Sequence, residues 1–291
     1  MKVYDCFTYF NEIELLELRL NLLYNTVDYF VVVEANKTHK NNDKDFNFEK
    51  HAASLQEYLD KIIYVKVQDM PSCPKDEWEQ ENFQRNCIKR GLANCCPEDL
   101  ILISDIDEIP DSAAIRLLVE NSGSVAAFTA EERKEIARLE TVPESLLQRY
   151  GAGLLDIIPL ALEQTLFYYF VNCRCKEKWH GTTIVKAKYL SSPQLFRNYR
   201  NVLPRISNGG WHFSYLGGID RILEKLDSIV ESTAGRYSAD HIKHCIGNGL
   251  DLYGRTGRAF EFEFIDIDQT LPRNIQAITG KYPYLQFTGA V

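Results

Sequence analysis

Three carboxylates crowd the end of one apolar run, Leu100-Ile-Leu-Ile-Ser-Asp105-Ile-Asp107-Glu108-Ile-Pro110. Residues i and i+2 of an extended chain share a side, so Asp105 and Asp107 can point together and hold a hard divalent cation, Mg²⁺ or Mn²⁺, through oxygen. The competing reading is a solvated acidic turn ahead of a helix, whose cap Asp111 or Ser112 would supply. So short a pattern does not separate the two by itself. A second D-x-D, Phe264-Ile-Asp266-Ile-Asp268-Gln-Thr270-Leu271, spells the string of an aspartyl phosphatase. Only Pro272 to Val291 follow it, too few residues for the strands such a fold needs next, so it reads as a strand or turn. At the first site Glu108 occupies neither the Thr nor the Val position of that pattern, which disfavours the phosphatase there as well.

Further candidates surround this centre. Asp107 and Glu108 are assigned to the reaction itself. Glu34 falls at the carboxyl end of a strand, where nucleotide-binding sheets place an acid against base or ribose, and Asp105 is counted with it as a nucleotide contact. Arg85 and Asn86 lie on a helix that feeds the acidic strand, and the guanidinium could grip uracil or diphosphate. A plain helical pair with Glu81, four residues earlier, is the alternative. Tyr168, Trp179 and Trp211 offer flat apolar faces to a sugar ring or to the core. Among six histidines, His212, between Trp211 and Phe213, alone merits a metal hypothesis, a core position being the alternative. Strand alternation turns its side chain away from both aromatic neighbours without saying which face meets a ligand. Glu163 and Glu177 are weak candidates for a general base, which stays open.

These residues require elements to position them. Apolar runs at Val3–Thr8, Tyr29–Val33, Ile62–Val67 and Leu100–Ser104 alternate with amphipathic stretches at Glu12–Tyr24, His51–Leu59 and Trp78–Leu92. Nearly continuous apolar character predicts strands buried on both faces, in a doubly wound and mostly parallel α/β sheet with its ligand site beyond the strands' carboxyl ends. Later strands are expected at Leu166–Phe170, Thr182–Ala187 and Gly210–Tyr215. A helix is expected after Gly217 and Gly218, where Ile219, Ile222, Leu223, Leu226, Ile229 and Val230 recur at helical spacing. We read residues 1–291 as one catalytic domain: a nucleotide-binding half over 1–110, a helical insertion or lid over 129–153, and an acceptor-side half over 156–291.

The 291 residues carry 41 Asp and Glu against 33 Lys and Arg, a net charge of −8. That is the wrong sign for a general nucleic-acid binder or for an anionic membrane surface. Any phosphate must be held locally. No stretch approaches the roughly 18 to 20 apolar residues of a membrane span. The N-terminal residues, with Asp5 and Glu12, do not read as a signal peptide, so a soluble cytoplasmic protein is expected. Eight cysteines then read as reduced, mostly buried side chains. Zinc at Cys173 and Cys175 with Cys95 and Cys96 is the alternative, although no C-x-x-C pair seeds it. Neither G-x-G-x-x-G after the first strand nor a P-loop is present, which removes dinucleotide dehydrogenases and P-loop kinases.

Six ordered motifs carry a resemblance: Tyr4-Asp-Cys-Phe-Thr-Tyr-Phe-Asn-Glu12, Val27-Asp-Tyr-Phe-Val-Val-Val-Glu34-Ala-Asn36, Glu81-Asn-Phe-Gln84-Arg85-Asn86, Ser104-Asp-Ile-Asp107-Glu108-Ile-Pro110, Trp179-His-Gly181 and Gly210-Trp211-His212-Phe213-Ser214. Together the sequence resembles glycosyltransferase family 17. The resemblance implies a GT-A-like fold whose C-terminal half completes the active-site crevice, a UDP-sugar donor such as UDP-GlcNAc, Mn²⁺ or Mg²⁺, inversion at the anomeric carbon and a glycan acceptor. It also implies that His212 joins the D-x-D acids on the cation. Two other classes stay open: a metal-dependent phosphohydrolase using the same carboxylates, and a carbohydrate-binding protein without turnover.

Overall fold

Four strands run parallel in the order β3-β2-β1-β4: β1 is Val3–Tyr9, β2 Tyr29–Ala35, β3 Ile62–Val67 and β4 Leu100–Asp105. Their apolar runs are explained by burial on both sides. Phe7, Phe30, Val32, Leu100 and Leu102 face one core, while Cys6, Val31, Val33, Ile101 and Ile103 face another. The helix Ile13–Leu23 closes the first face with Leu15, Leu16, Leu18, Leu20, Leu22 and Leu23. On the other face Ile88 and Leu92, in the 3₁₀ turn that ends the Glu79–Asn86 helix, lie against the sheet. The computed structural model describes residues 1–76, 78–121, 123–229, 237–255 and 261–289. The expected position of Val230 on the late helix lies outside them.

Beyond β4 the pairing becomes mixed. β5 (Glu108–Pro110), β6 (Leu160–Tyr168), β7 (Cys173–Lys186), β8 (Arg205–Ser214) and β9 (Phe262–Phe264) extend the sheet in the order β4-β7-β6-β8-β5, with β9 on β7. β7 runs against both β4 and β6, and β8 runs parallel to β6. The α/β architecture is thus present, with its purely parallel part confined to the first four strands. β7 is far longer than the expected Thr182–Ala187 because its first half, with Arg174, Lys176, Glu177 and Lys178, carries charge that masks a strand in sequence. The late helix spans Gly218–Ser228, and Asp268 accepts from the Thr270 N–H and hydroxyl in a turn, as expected of the second D-x-D.

Only Ile106 and Asp107 separate β4 from β5, yet β5 pairs with β8 three strands away. The chain can satisfy both only if β7, β6 and β8 curl round, which brings β8 back beneath the acidic turn. Contact between β5 and β8 is so close that a Cβ on Gly210, at φ +139°, would lie 2.1 Å from the Ile109 carbonyl oxygen. Glycine is required there.

One side chain ties the helix to this turn. Arg19, fully buried on the Ile13–Leu23 helix, donates from Nε and Nη2 to the two oxygens of buried Asp5 at 2.8 and 2.6 Å. Its Nη1 donates to the carbonyls of Asp105, Ile106 and Glu108, and Nη2 to the Ser104 hydroxyl at 2.6 Å.

All eight cysteines are free. Cys173, Cys175 and Cys245 sit in an apolar cluster with Tyr169, Ile222 and Leu226. Burial pushes the Cys173 thiol up to about 12 and Cys175 to about 11, away from the thiolate that zinc needs.

Removing the guanidinium should strand Asp5 and take a donor from three turn carbonyls, of which Glu108 keeps the Thr182 hydroxyl. Arg19→Met is expected to cost about 3 to 5 kcal/mol in urea unfolding, and adding Asp5→Leu should recover part of that loss. A single variant as stable as the parent would show that the pair does not hold the turn.

Candidate active site

The carboxyl ends of β1 and β4 open into a cavity of about 820 Å³ lined by Thr8, Tyr9, Asp105 and Asp107 from the parallel half. The second half contributes Tyr168, Trp179, Arg197, Arg200, His212 and Lys225. More Lys and Arg than Asp and Glu side chains line it, in a chain whose net charge is −8. The positive charge the whole molecule lacks is concentrated here.

Two helices deliver the arginines. Gln84 anchors the Glu79–Asn86 helix by donating to the Val33 carbonyl, and the helix presents Arg85. Ser192 caps the helix Pro193–Tyr199, which has proline at its first position and Arg197 in its last turn. The Asn86 side-chain oxygen accepts from the Ser192 hydroxyl and the Gln194 N–H, locking the two helices together. Asp105 is thereby clamped: Arg85 donates to Oδ1 and Arg197 to Oδ2, each at 2.7 Å. Burial would raise its pKa, but the two guanidinium groups outweigh burial and hold the carboxyl well below the usual range.

Asp107 has different partners. It lies in the turn and not on an extended strand, so the i, i+2 argument does not govern its direction. Lys225, from the Gly218–Ser228 helix, donates to Oδ2 at 2.9 Å, and His212 Nε2 lies 3.6 Å from Oδ1. Burial opposes ionisation, yet Lys225 and His212 hold Asp107 below the usual range. The His212 ring packs 4.5 Å from Trp179, and its buried Nδ1 has no partner among the described residues.

The structure therefore brings Arg85, Asp105, Asp107, Tyr168, Trp179 and His212 to one cavity. The other candidates do not line it, each for a legible reason. Glu108 is fully buried beneath it, accepting from Trp179 Nε1 and Arg197 on one oxygen and from the Asp105 N–H on the other. Its role is to orient those groups. Glu34 is also fully buried, and its oxygens accept from Lys44, Tyr64 and the N–H groups of Asn47 and Phe48. Those bonds fix the loop after β2. Asn86 is spent on the helix junction. Trp211 packs on the opposite face, donating to the Thr270 carbonyl, and Glu163 and Glu177 lie on β6 and β7 away from the lining. The segment expected as a lid forms helices Ala130–Ala137 and Glu144–Tyr150, whose Ile136 and Leu147 enter the main core, and none of its residues lines the cavity.

Arg197, Arg200 and Lys225 were missed in sequence. A Ser-Pro start followed by arginines three residues apart marked the first two. Lys225 lies on the polar side of a strongly amphipathic helix.

Because Asp105 and Asp107 titrate lower folded than unfolded, their contribution is complete above the unfolded value near about 4 and is lost as pH falls through the folded values. Stability should decline as pH drops below about 4. Asp107→Asn should flatten that decline in urea titrations at successive pH values, and an unchanged slope would remove Asp107 from the account.

Comparison with known proteins fits this geometry. A family model described as glycosyltransferase family 17 matches residues 1–129. The chain is similar to the β-1,4-mannosyl-glycoprotein 4-β-N-acetylglucosaminyltransferases of rat, human and mouse, 25% identical over 232 residues. Those alignments cover 75% of this chain and 41% of each relative, so the chain spans about two fifths of the length of the relatives it matches. Among the described residues no helix is long and apolar enough to cross a membrane. Residues 1–129, which hold the parallel strands and the Asp105–Asp107 turn, are thus the part of the chain that matches glycosyltransferase family 17.

Proposed function

We propose that this protein is an inverting, cation-assisted glycosyltransferase that moves GlcNAc from UDP-GlcNAc to a glycan hydroxyl. The observation that carries this reading is the cavity at the carboxyl ends of β1 and β4, where paired carboxylates meet a surplus of guanidinium and ammonium groups beside Trp179 and Tyr168. The relatives' printed names supply the sugar. A nucleoside diphosphate brings two phosphates and a flat base, and the cavity offers cations for the first and Trp78 at its rim for the second.

The residues present suit a divalent cation in part. Asp107 and His212 offer an oxygen and a nitrogen donor to the same space, and the buried Nδ1 of that imidazole has no partner among the described residues. Asp105 instead gives both oxygens to arginines. Among the described residues no three His, Cys, Asp or Glu side chains group into a cage. Asp107 and His212 would therefore hold the ion, with diphosphate oxygens and water completing its shell, as Mg²⁺ commonly accepts. An imidazole in the set favours Mn²⁺. When bound, the ion would neutralise charge developing on the departing diphosphate.

The chain's own groups do the rest. Asp105 holds Arg85 and Arg197 rigid at the cavity wall, so their charge is organised before a ligand arrives. Trp179, fixed through Nε1 to Glu108, presents its ring to a sugar.

Asp107→Ala should retain the fold and lose transfer by on the order of 10²-fold or more, measured as UDP released only when acceptor is present. EDTA should abolish transfer and Mn²⁺ restore it. His212→Ala should weaken Mn²⁺ activation, and His212→Asp should recover part of it. Full activity in EDTA would overturn the cation's part, and phosphate release from simple monoesters would overturn transfer.

A further inference from the structure

The cavity's cations are not equivalent. Lys37 is paired with Asp43, Lys44 with Glu34, Arg85 and Arg197 with Asp105, Lys225 with Asp107, and Arg255 with Asp251. Arg200 lines the same cavity and, among the described residues, is the exception: no carboxylate pairs with it. It follows the Pro193–Tyr199 helix as its C-cap, three residues after Arg197. Its Nη1 donates to the Arg197 carbonyl at 3.1 Å, and the guanidinium stands 5.7 Å from the centre of the Trp179 ring. The group is held on two sides. Its Nε is buried and, among the described residues, has no hydrogen-bond partner, which is also true of Arg85 Nε.

An unsatisfied, desolvated guanidinium N–H is costly unless something accepts from it. Burial, and then the neighbouring Arg197 guanidinium, pull the Arg200 pKa below its usual value, and an anion bound beside it would act in the opposite direction. The planar fork of N–H donors matches phosphate geometry, and the Trp179 ring lies beside it. Arg85 and Arg197 cannot take this role as readily because Asp105 already occupies them.

We infer that Arg200 is the anion receptor of the cavity, donating through its free edge to the diphosphate of the nucleotide-sugar donor. The inference rests on the proposed function for the ligand's identity, but the chemistry it requires is only that of a diphosphate. Arg200 acts as a binding residue whose charge is uncommitted until the ligand arrives, in contrast to the pre-paired cations around it. The bound diphosphate would then lie along the Trp179 side of the cavity, next to the Asp107 and His212 pair.

Calorimetry on the full chain tests this with inorganic pyrophosphate, UDP and uridine, each in EDTA and in Mn²⁺. Arg200→Ala should weaken pyrophosphate and UDP by on the order of tenfold to a hundredfold in both conditions, the range for a charge-assisted hydrogen bond, and leave uridine unchanged. Arg200→Lys keeps the charge without the fork and should fall between. It also guards against misfolding of the alanine variant, and thermal unfolding of both variants at or above the parent's temperature shows that each is folded. Equal pyrophosphate affinity in parent and Arg200→Ala, or no pyrophosphate binding by the parent in either condition, would overturn the inference. A parent that binds pyrophosphate through Arg200 but gains nothing from the uridine of UDP would sustain the receptor and sink the UDP-sugar reading.

Discussion

The fork of Arg19 on Asp5 is the constraint around which the site is arranged. Asp5 lies mid-strand in β1, Arg19 mid-helix, and both are fully buried. Two charges so deep would be prohibitive alone, and the bidentate pair offsets that only because the remaining guanidinium protons are also taken, by the Ser104 hydroxyl and the carbonyls of Asp105, Ile106 and Glu108. A turn between two buried strands has carbonyls that cannot reach water or a ladder partner. Arg19 supplies the missing donors, and in doing so it sets where the two aspartates leave the sheet.

From that turn outward, charge is balanced in stages. Asp105 sits between Arg85 and Arg197, and Glu108 below it takes Arg197 again together with Trp179. Asp107 meets Lys225 and His212 from the far half of the chain. Each carboxylate thus depends on elements distant in sequence, which is why Asp105 and Asp107 ionise in spite of burial. Pre-paired cations give the wall its shape, and Arg200 remains as the charge left for a ligand.

The curl of the sheet makes this convergence possible. Two residues join β4 to β5, so β7, β6 and β8 must return beneath the turn, and Gly210 lets β8 come close enough to pair with β5. His212 reaches Asp107 as a result. On an open, wholly parallel sheet the Gly210–Ser214 strand would have no reason to meet the Asp105–Asp107 turn.

What could be read in advance was local or periodic. Continuous apolar runs revealed the four parallel strands, leucine spacing the first helix, and an apolar run ending in acids the centre of the site, because burial on two faces and the end of a strand leave direct marks on residue type. Residue type did not reveal which polar groups would be consumed internally. Glu34, Asn86 and Glu108 look like ligand contacts in sequence, and only packing shows their oxygens already filled by Lys44, Ser192, Trp179 and backbone N–H groups. Equally hidden were Arg197, Arg200 and Lys225, since a cation on a helix looks like a solvated surface group until a partner from another part of the chain desolvates it. Local composition determined the strands, their order of appearance and the acidic turn. The tertiary fold decided which charges neutralise each other and which remains for a ligand, because that depends on distances between residues 20 to 118 positions apart, which no local pattern encodes.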